Sequence, residues 1–423
     1  MDSEALAYPF GADHGFDRTE LRALLGGKGA GLVAMTAAGL PVPPGFTLTT
    51  AACRRFLTDG WSPAFDSAIA DGLSELEATA GKFLGSTSTP LLVSVRSGAE
   101  TSMPGMMDTV LNVGMNASVE QALAAAAGSA AFAADTHRRA LVGFAELVLG
   151  APQALTRSAA GAGPDGVPPA PTELAAALAE AGYPVPEDPR AQVLAAVRAV
   201  FESWTGPRAT RYREIEGIDA SLGTAVTVQA MVFGNLGDRS GTGVAFSRNP
   251  TTGEAGLVGD FLVNAQGEDV VAGEAVTSSL AEMAARWPSL FAELDGVAAT
   301  LEQHHRDMVD IEFTVEEGKL WLLQTRVGKR SPLAAFRVAI ELAEDPAFDV
   351  DRAEAVERCR RYLDDPPTVA ASQSTDGEST AGDGTEVVAT GLAASPGLAS
   401  GVLCFDPDRA VELAEAGRDV ILA

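Results

Sequence analysis

From Asp310 to Glu316 polar and apolar residues alternate, and after one break, Glu316-Glu317-Gly318, a second apolar-rich run leads to Arg326. A period of two is what a strand with one buried face requires, and a break ending in glycine closes two such strands into a hairpin. The expected loop has three residues, with Gly318 in the left-handed position and Val315 paired with Lys319. That register predicts an apolar face of Ile311, Phe313, Val315, Trp321 and Leu323, and puts Asp310, Glu312, Gln324 and Arg326 together on the other. Two acids, an amide and a guanidinium then share one surface.

The chemistry of that surface has two readings. Carboxylates two residues apart on a strand project to the same side, where Asp310 and Glu312 would hold Mg²⁺ against a triphosphate. Gln324 and Arg326 would add donors where phosphate oxygens lie. The other reading is a solvated strand face, the usual reason for polar alternation.

Three further places invite the same comparison. Gly26-Gly27-Lys28-Gly29-Ala30-Gly31 is expected as a glycine-rich loop opening onto a helix to about residue 38, with backbone N–H groups and the Lys28 cation suited to phosphate. It lacks the Walker spacing, and a plain turn is the alternative. Arg96 follows an apolar strand at 91–95 and opens a Gly-, Met- and Pro-rich loop reaching Thr109, as a phosphate clamp or a surface salt bridge. Glu268 and Asp269 are metal-orienting carboxylates or simply loop acids. His304 and His305, being adjacent, are badly placed to share a metal and are expected at the surface.

Along the chain, 118–218 reads as Ala-rich helices interrupted by a loop at 158–171. Strands are expected at 225–232, 243–246 and 256–264, joined in one antiparallel sheet, and helices at 332–344 and 352–363. Residues 368–385 read as a flexible linker, and Gly391-Leu392-Ala393-Ala394-Ser395-Pro396-Gly397 with a strand at 401–405 begins a further domain. At 423 residues the chain is long enough for two or three packed units.

Charge narrows the partners. With 57 acidic and 30 basic residues the net charge is −27, which repels nucleic acid and anionic membranes alike. An ATP site in such a chain must concentrate its cations in one cleft and use a divalent ion. Cys53, Cys359 and Cys404 form no disulfide or zinc pattern, which points to a reducing, cytoplasmic setting. No signal peptide or membrane-length apolar stretch is expected.

The blocks Gly26-Gly27-Lys28-Gly29-Ala30-Gly31-Leu32, 39–46, Ser94-Val95-Arg96-Ser97-Gly98-Ala99, 102–110, 223–250, 264–273, 307–330 and 391–397 resemble the amino-terminal portion of pyruvate, phosphate dikinases, more than the related phosphoenolpyruvate synthases. The resemblance implies an α+β, ATP-grasp-type fold of two lobes closing over Mg-ATP, with Mg²⁺ as cofactor and ATP as substrate. It divides the chain into a first lobe with Gly-rich and Met-rich loops (1–115), a helical subdomain (116–222), a second lobe with the metal-binding hairpin (223–366), a linker (367–386) and the start of a phosphohistidine-type domain (387–423). In such a family ATP phosphorylates a carrier histidine, inorganic phosphate takes part in releasing pyrophosphate, and a distant barrel passes the phosphoryl group to pyruvate. By the matching motifs Lys28 and Arg96 would polarise the ATP phosphates, Asp310 and Glu312 would hold the metal, and Gln324 would line the phosphate site. Arg326, with Glu268, Asp269 and Arg139, would handle the terminal phosphate and the phosphate co-substrate.

Three departures go with the resemblance. Glu100 stands where a base is usual, and Ala275-Val276-Thr277 where an Arg-Thr-Pro-like sequence is usual, which counts against the use of inorganic phosphate. The carrier-histidine motif is absent, since His14, His137, His304 and His305 are all in other contexts, and so is the pyruvate barrel. The expectation is therefore a phosphotransferase module whose acceptor histidine lies on a partner or a missing portion. A non-catalytic nucleotide sensor and a kinase acting on a free small molecule are the alternatives.

Overall fold

The computed structural model describes residues 5–12, 14–101, 103, 105–161, 167–271, 277–364 and 400–422, without the side chains of Glu268, Val271, Pro407 and Asp408. The expected linker at 367–386, the stretch 391–397 and Ala275 lie outside the described residues.

Strand β1 (Ala7–Pro9) leads into helix α1 (Arg18–Ala37). A capping box starts α1: Asp17 accepts from the Thr19 and Glu20 N–H groups, and Glu20 accepts from the Asp17 N–H. Next come β2 (Gly45–Leu48), α2 (Thr50–Asp59) capped by Thr49, and α3 (Pro63–Ala80), whose opening proline supplies no N–H where none is needed. The two-residue strands β3 (Phe83–Leu84) and β4 (Pro90–Leu91) precede β5 (Val93–Gly98) and β6 (Thr109–Val113).

Helices then take over: α4 (Ala117–Ala127), α5 (Ala130–Leu147), α6 (Gln153–Ala160), α7 (Pro171–Glu180), α8 (Pro189–Ser203) and α9 (Pro207–Glu216). Strands return with β7 (Ala225–Ala230), β8 (Gly241–Arg248) and β9 (Ala255–Val263). After α10 (Gly267–Val271), β10 (Ser278–Ser279), α11 (Leu280–Arg286) and α12 (Pro288–His305) comes the hairpin of β11 (Val309–Glu316) and β12 (Lys319–Val327). Helices α13 (Pro332–Glu344) and α14 (Arg352–Asp364) follow, and then β13 (Val402–Cys404), α15 (Pro407–Glu415) and β14 (Val420–Leu422).

The strands build two five-stranded sheets, ordered β1-β2-β7-β5-β6 and β10-β9-β8-β11-β12. The single antiparallel sheet expected from 225 to 264 is therefore split. β7 lies between β2 and β5 in the first sheet and is buried at every position, whereas β8 and β9 belong to the second. Local pattern marks a strand without naming its partner, and here the chain changes sheets between Ala230 and Gly241.

Each sheet has its own core. Phe46, Val226 and Val228 of the first pack with Phe65 and Ile69 of α3 and with Val193, Val197 and Phe201 of α8. The expected helical subdomain at 116–222 thus lends α8 to the first sheet's core. Ile311, Phe313, Val315, Leu320 and Leu322 of the second pack with Leu25, Leu32 and Met35 of α1 and with Leu294 and Leu301 of α12.

Contacts divide the chain into two compact units: Met1–Ser247 with Leu257–His305 and Val309–Val327, and Arg248–Gly256 with Arg306–Met308 and Gly328–Ala423. Both sheet cores belong to the first unit. In the second, Ser331 donates its N–H to the Pro250 oxygen and its hydroxyl to the Thr251 oxygen, and Arg330 pairs with Asp307. Helices α13 and α14 meet there on Ala339, Ala355 and Cys359. All three cysteines are buried free thiols. Among the described residues no helix is long and apolar enough to cross a membrane.

Candidate functional site

The glycine run is not a loop. It lies inside α1, interrupted only at Gly26, whose φ of 68° and ψ of 173° break the helix in two. A Cβ at Gly26 would lie 1.7 Å from the Gly98 oxygen, and one at Gly29 would lie 2.9 Å from the Thr47 hydroxyl. The Gly27 N–H, expected to face phosphate, donates to the Ala99 oxygen at 3.0 Å. The glycines let α1 touch the ends of β5 and β2, and this close approach sets Lys28 beside Gly98. Burial above all, then the neighbouring Arg96, brings the Lys28 pKa down to about 7, with Glu312 pulling it up and Arg326 pushing it further down.

Arg96, near the end of β5, crosses from the first sheet to the second. Its Nη2 donates to Glu312 Oε2 at 3.0 Å and its Nη1 to the main-chain oxygen of Leu323 at 3.0 Å. That oxygen is presented by a bulge. The hairpin turns on two residues, Glu317 and Gly318, both at positive φ, with Glu316 paired to Lys319 and Phe313 to Leu322. One step on, Glu312 pairs with Gln324, so Leu323 is an extra residue on β12.

The expected register is thereby corrected twice. Leu320 and Leu322, not Trp321 and Leu323, lie in the core with Ile311, Phe313 and Val315. The bulge then restores the phase, so that Asp310 pairs with Arg326 and Glu312 with Gln324 on the outward face. The consecutive apolar pair Leu322-Leu323, which breaks the alternation, is the sequence signal for it.

Arg326 Nε lies 2.9 and 2.6 Å from the two oxygens of buried Asp310. Three cations, Lys28, Arg96 and Arg326, thus converge on two carboxylates, Asp310 and Glu312, with Gln324 alongside. Among the described residues no cluster of three or more acidic, histidine or cysteine side chains is preformed for a metal. Two carboxylates on one face suit Mg²⁺, which uses one or two protein carboxylates and completes its shell with phosphate oxygens and water. Asp310 and Glu312 fit that role.

Arg139 and Asp269 form a second cluster, distinct from the one holding Arg326. Arg139, on α5, gives Nη1 and Nη2 to the two Asp269 oxygens at 2.9 and 3.4 Å and Nε to Asp135 at 2.9 Å. Burial opposes this charge, but Asp269 and Asp135 outweigh it, and the Arg139 pKa is raised. Asp269 Oδ2 also accepts the Gln266 N–H at 2.8 Å. Glu268 lies beside it on α10, its side chain outside the description. Sequence reasoning missed Asp135, Gln266 and the Leu323 carbonyl. Asp135 alone had a signal, its spacing of four from Arg139 on a helix. His304 is exposed as expected, while His305 is partly buried and its Nδ1 lies 2.9 Å from Arg18 Nη2.

The family model described as pyruvate phosphate dikinase, AMP/ATP-binding domain, matches residues 22–80, 61–286 and 289–341. The chain belongs to the pyruvate, phosphate dikinase family. It is 44% identical over 451 residues to the pyruvate, phosphate dikinase of Rhizobium meliloti, covering 98% of this chain and 48% of that protein. The chloroplastic pyruvate, phosphate dikinase of Flaveria trinervia is 42% identical over 438 residues, 98% of this chain and 44% of its own length. The pyruvate, phosphate dikinase of Giardia intestinalis is 43% identical over 428 residues, 95% and 47% respectively. The chain thus spans a little under half the length of these dikinases, and its matched portion is the nucleotide-binding domain of a kinase-type family.

Proposed function

We propose that the chain binds Mg-ATP between its two sheets, which act as the lobes of an ATP-grasp-type fold, and that it serves as the ATP-using module of a dikinase-like phosphotransferase. The convergence of Lys28, Arg96 and Arg326 on Asp310 and Glu312 carries this reading, because phosphoryl transfer needs positioned charge more than covalent help from the binding lobe. The free chain neutralises each carboxylate with an arginine.

In the nucleotide complex, Asp310 and Glu312 would hold Mg²⁺, and the released Arg96 and Arg326 would turn to the phosphate oxygens. Bound Mg²⁺ supplies charge neutralisation between the phosphates. Lys28 regains its proton beside the polyphosphate, Gln324 donates from the same face, and Arg139 with Asp269, and Glu268 next to it, serves the terminal phosphate or an inorganic phosphate. The phosphoryl acceptor is a histidine of a carrier domain, in trans or on a portion outside this chain, in a cytoplasmic setting.

Titration calorimetry with ATP, with and without Mg²⁺, tests the binding step, and no heat at millimolar nucleotide in either case would remove the proposal. For transfer, ATP labelled in the β-phosphate and a carrier-histidine domain added in trans should give acid-labile, base-stable label on the carrier. Binding without labelling of the carrier would leave a nucleotide sensor.

A further inference from the structure

The second cluster rests on a residue that nothing above has used. Between β5 and β6 the ladder slips: Val95 pairs with Val110 but Val93 with Val113, so Leu111 and Asn112 together face Ser94. Asn112 takes the strain of this bulge at a φ of 56°, in the left-handed region that glycine enters more easily. It is 1% exposed, and among the described residues its buried Oδ1 has no hydrogen-bond partner. A left-handed backbone and an orphaned acceptor are two costs at one position, which invites a functional explanation.

The one bond the Asn112 carboxamide makes among the described residues supplies it. Its Nδ2 lies 3.4 Å from Gln266 Oε1, and Gln266 Nε2 in turn reaches Asn235 Oδ1 at 3.3 Å. Gln266 is 3% exposed, so its side chain meets an amide on either side in the interior. Its main-chain N–H and oxygen bind the Asp269 carboxylate and N–H at 2.8 and 3.0 Å, and Asp269 holds the Arg139 fork. Fixing Gln266 therefore fixes Asp269, and fixing Asp269 fixes the guanidinium.

We propose that Asn112 is a positioning residue for Arg139: its buried carboxamide, bonded to Gln266, holds the main chain that aims Asp269 and thereby the guanidinium. What Arg139 binds rests on the function proposed above. That Asn112 holds it does not.

Asn112→Gly tests this, because glycine keeps the left-handed backbone while the carboxamide is removed together with its methylene. Rotation of the Arg139 Nη groups is read by ¹³C-detected NMR in the nucleotide-free chain, its signal assigned by loss in Arg139→Lys. The expected result is rotation about two- to tenfold faster, the scale of losing one hydrogen bond between uncharged groups, with at most a modest fall in Tm. The preference for Mg-ATP over Mg-ADP should fall by about the same factor, and should not fall further in an Arg139→Met background. Gln266→Met should reproduce the faster rotation, and it decides the matter if Asn112→Gly fails to fold. Unchanged rotation, or a lowered Tm with unchanged rotation, would overturn the proposal and leave Asn112 a structural part of the bulge. If the chain binds no nucleotide, the function proposed above fails while the rotation still decides the role of Asn112.

Discussion

The guanidinium of Arg96 donates to the main-chain oxygen of Leu323, the residue that β12 carries in excess of its partner strand. A bulge frees a carbonyl from the ladder, and here the freed carbonyl orients an arginine from the other sheet. The rest of the fork reaches Glu312, so the side chain is aimed by one rigid contact and one exchangeable one.

Arg96→Lys keeps the charge and loses the fork. It is expected to weaken Mg-ATP binding about 10- to 100-fold, the range for losing hydrogen bonds to charged groups, with only a small change in Tm. Calorimetry and thermal melts on the same preparation check this, and unchanged affinity would mean that the bridge is structural only.

Lys28 is expected to make Mg-ATP binding pH-dependent. Its pKa in the free chain is about 7, held down by burial first and then by Arg96, and a bound polyphosphate must raise it. Binding at pH 8 should therefore take up about one proton, so affinity is level below about pH 7 and falls as pH rises above it. Calorimetry in buffers of different ionisation heat measures the uptake, which Lys28→Met should abolish. Without nucleotide, the cost of burying the charge is complete below about 7 and vanishes as pH approaches 10.5, so Lys28→Met should stabilise the free chain most at the acid end.

The corrected register has its own test. Leu322→Ala removes a fully buried side chain and should cost about 2–5 kcal/mol in denaturant unfolding. Trp321→Ala should cost less, because the indole is only partly buried and packs beneath the Lys319 ammonium, 3.7 Å from the ring centroid. The reverse order of losses would restore the register expected from alternation.

Two glycines in helices should respond oppositely. Gly26→Ala meets both a positive φ and the Gly98 oxygen and should cost more than about 3 kcal/mol or prevent folding. Gly143→Ala, inside α5 with nothing within 4 Å of a new Cβ, should stabilise by about 0.5–1 kcal/mol. Melting curves of the two variants decide it.

Some of this architecture is written locally and some is not. Ser331 as cap and Pro332 in the first turn mark α13, and the expected 332–344 coincides with Pro332–Glu344. The gathering of Asp310, Glu312, Gln324 and Arg326 on one face was legible because pleating needs only parity. Leu322 and Trp321 were exchanged because one inserted residue inverts parity without altering composition. The glycines of α1 read as a loop because glycine disfavours helix, and the reason for them, a strand end at the distance of a missing Cβ, lies some 70 residues on. The partners of β7 and the Arg139–Asp269 pair likewise belong to segments that only the folded chain brings together.

On the proposed function, the arginines on Asp310 and Glu312 would also determine what the site refuses. A bare divalent cation would have to evict Arg96 or Arg326 while offering the displaced guanidinium no anion in return. A nucleotide arriving with its cation provides both halves of the exchange at once. In a chain of net charge −27, the proposed cleft would then open to the pair and resist the ion alone.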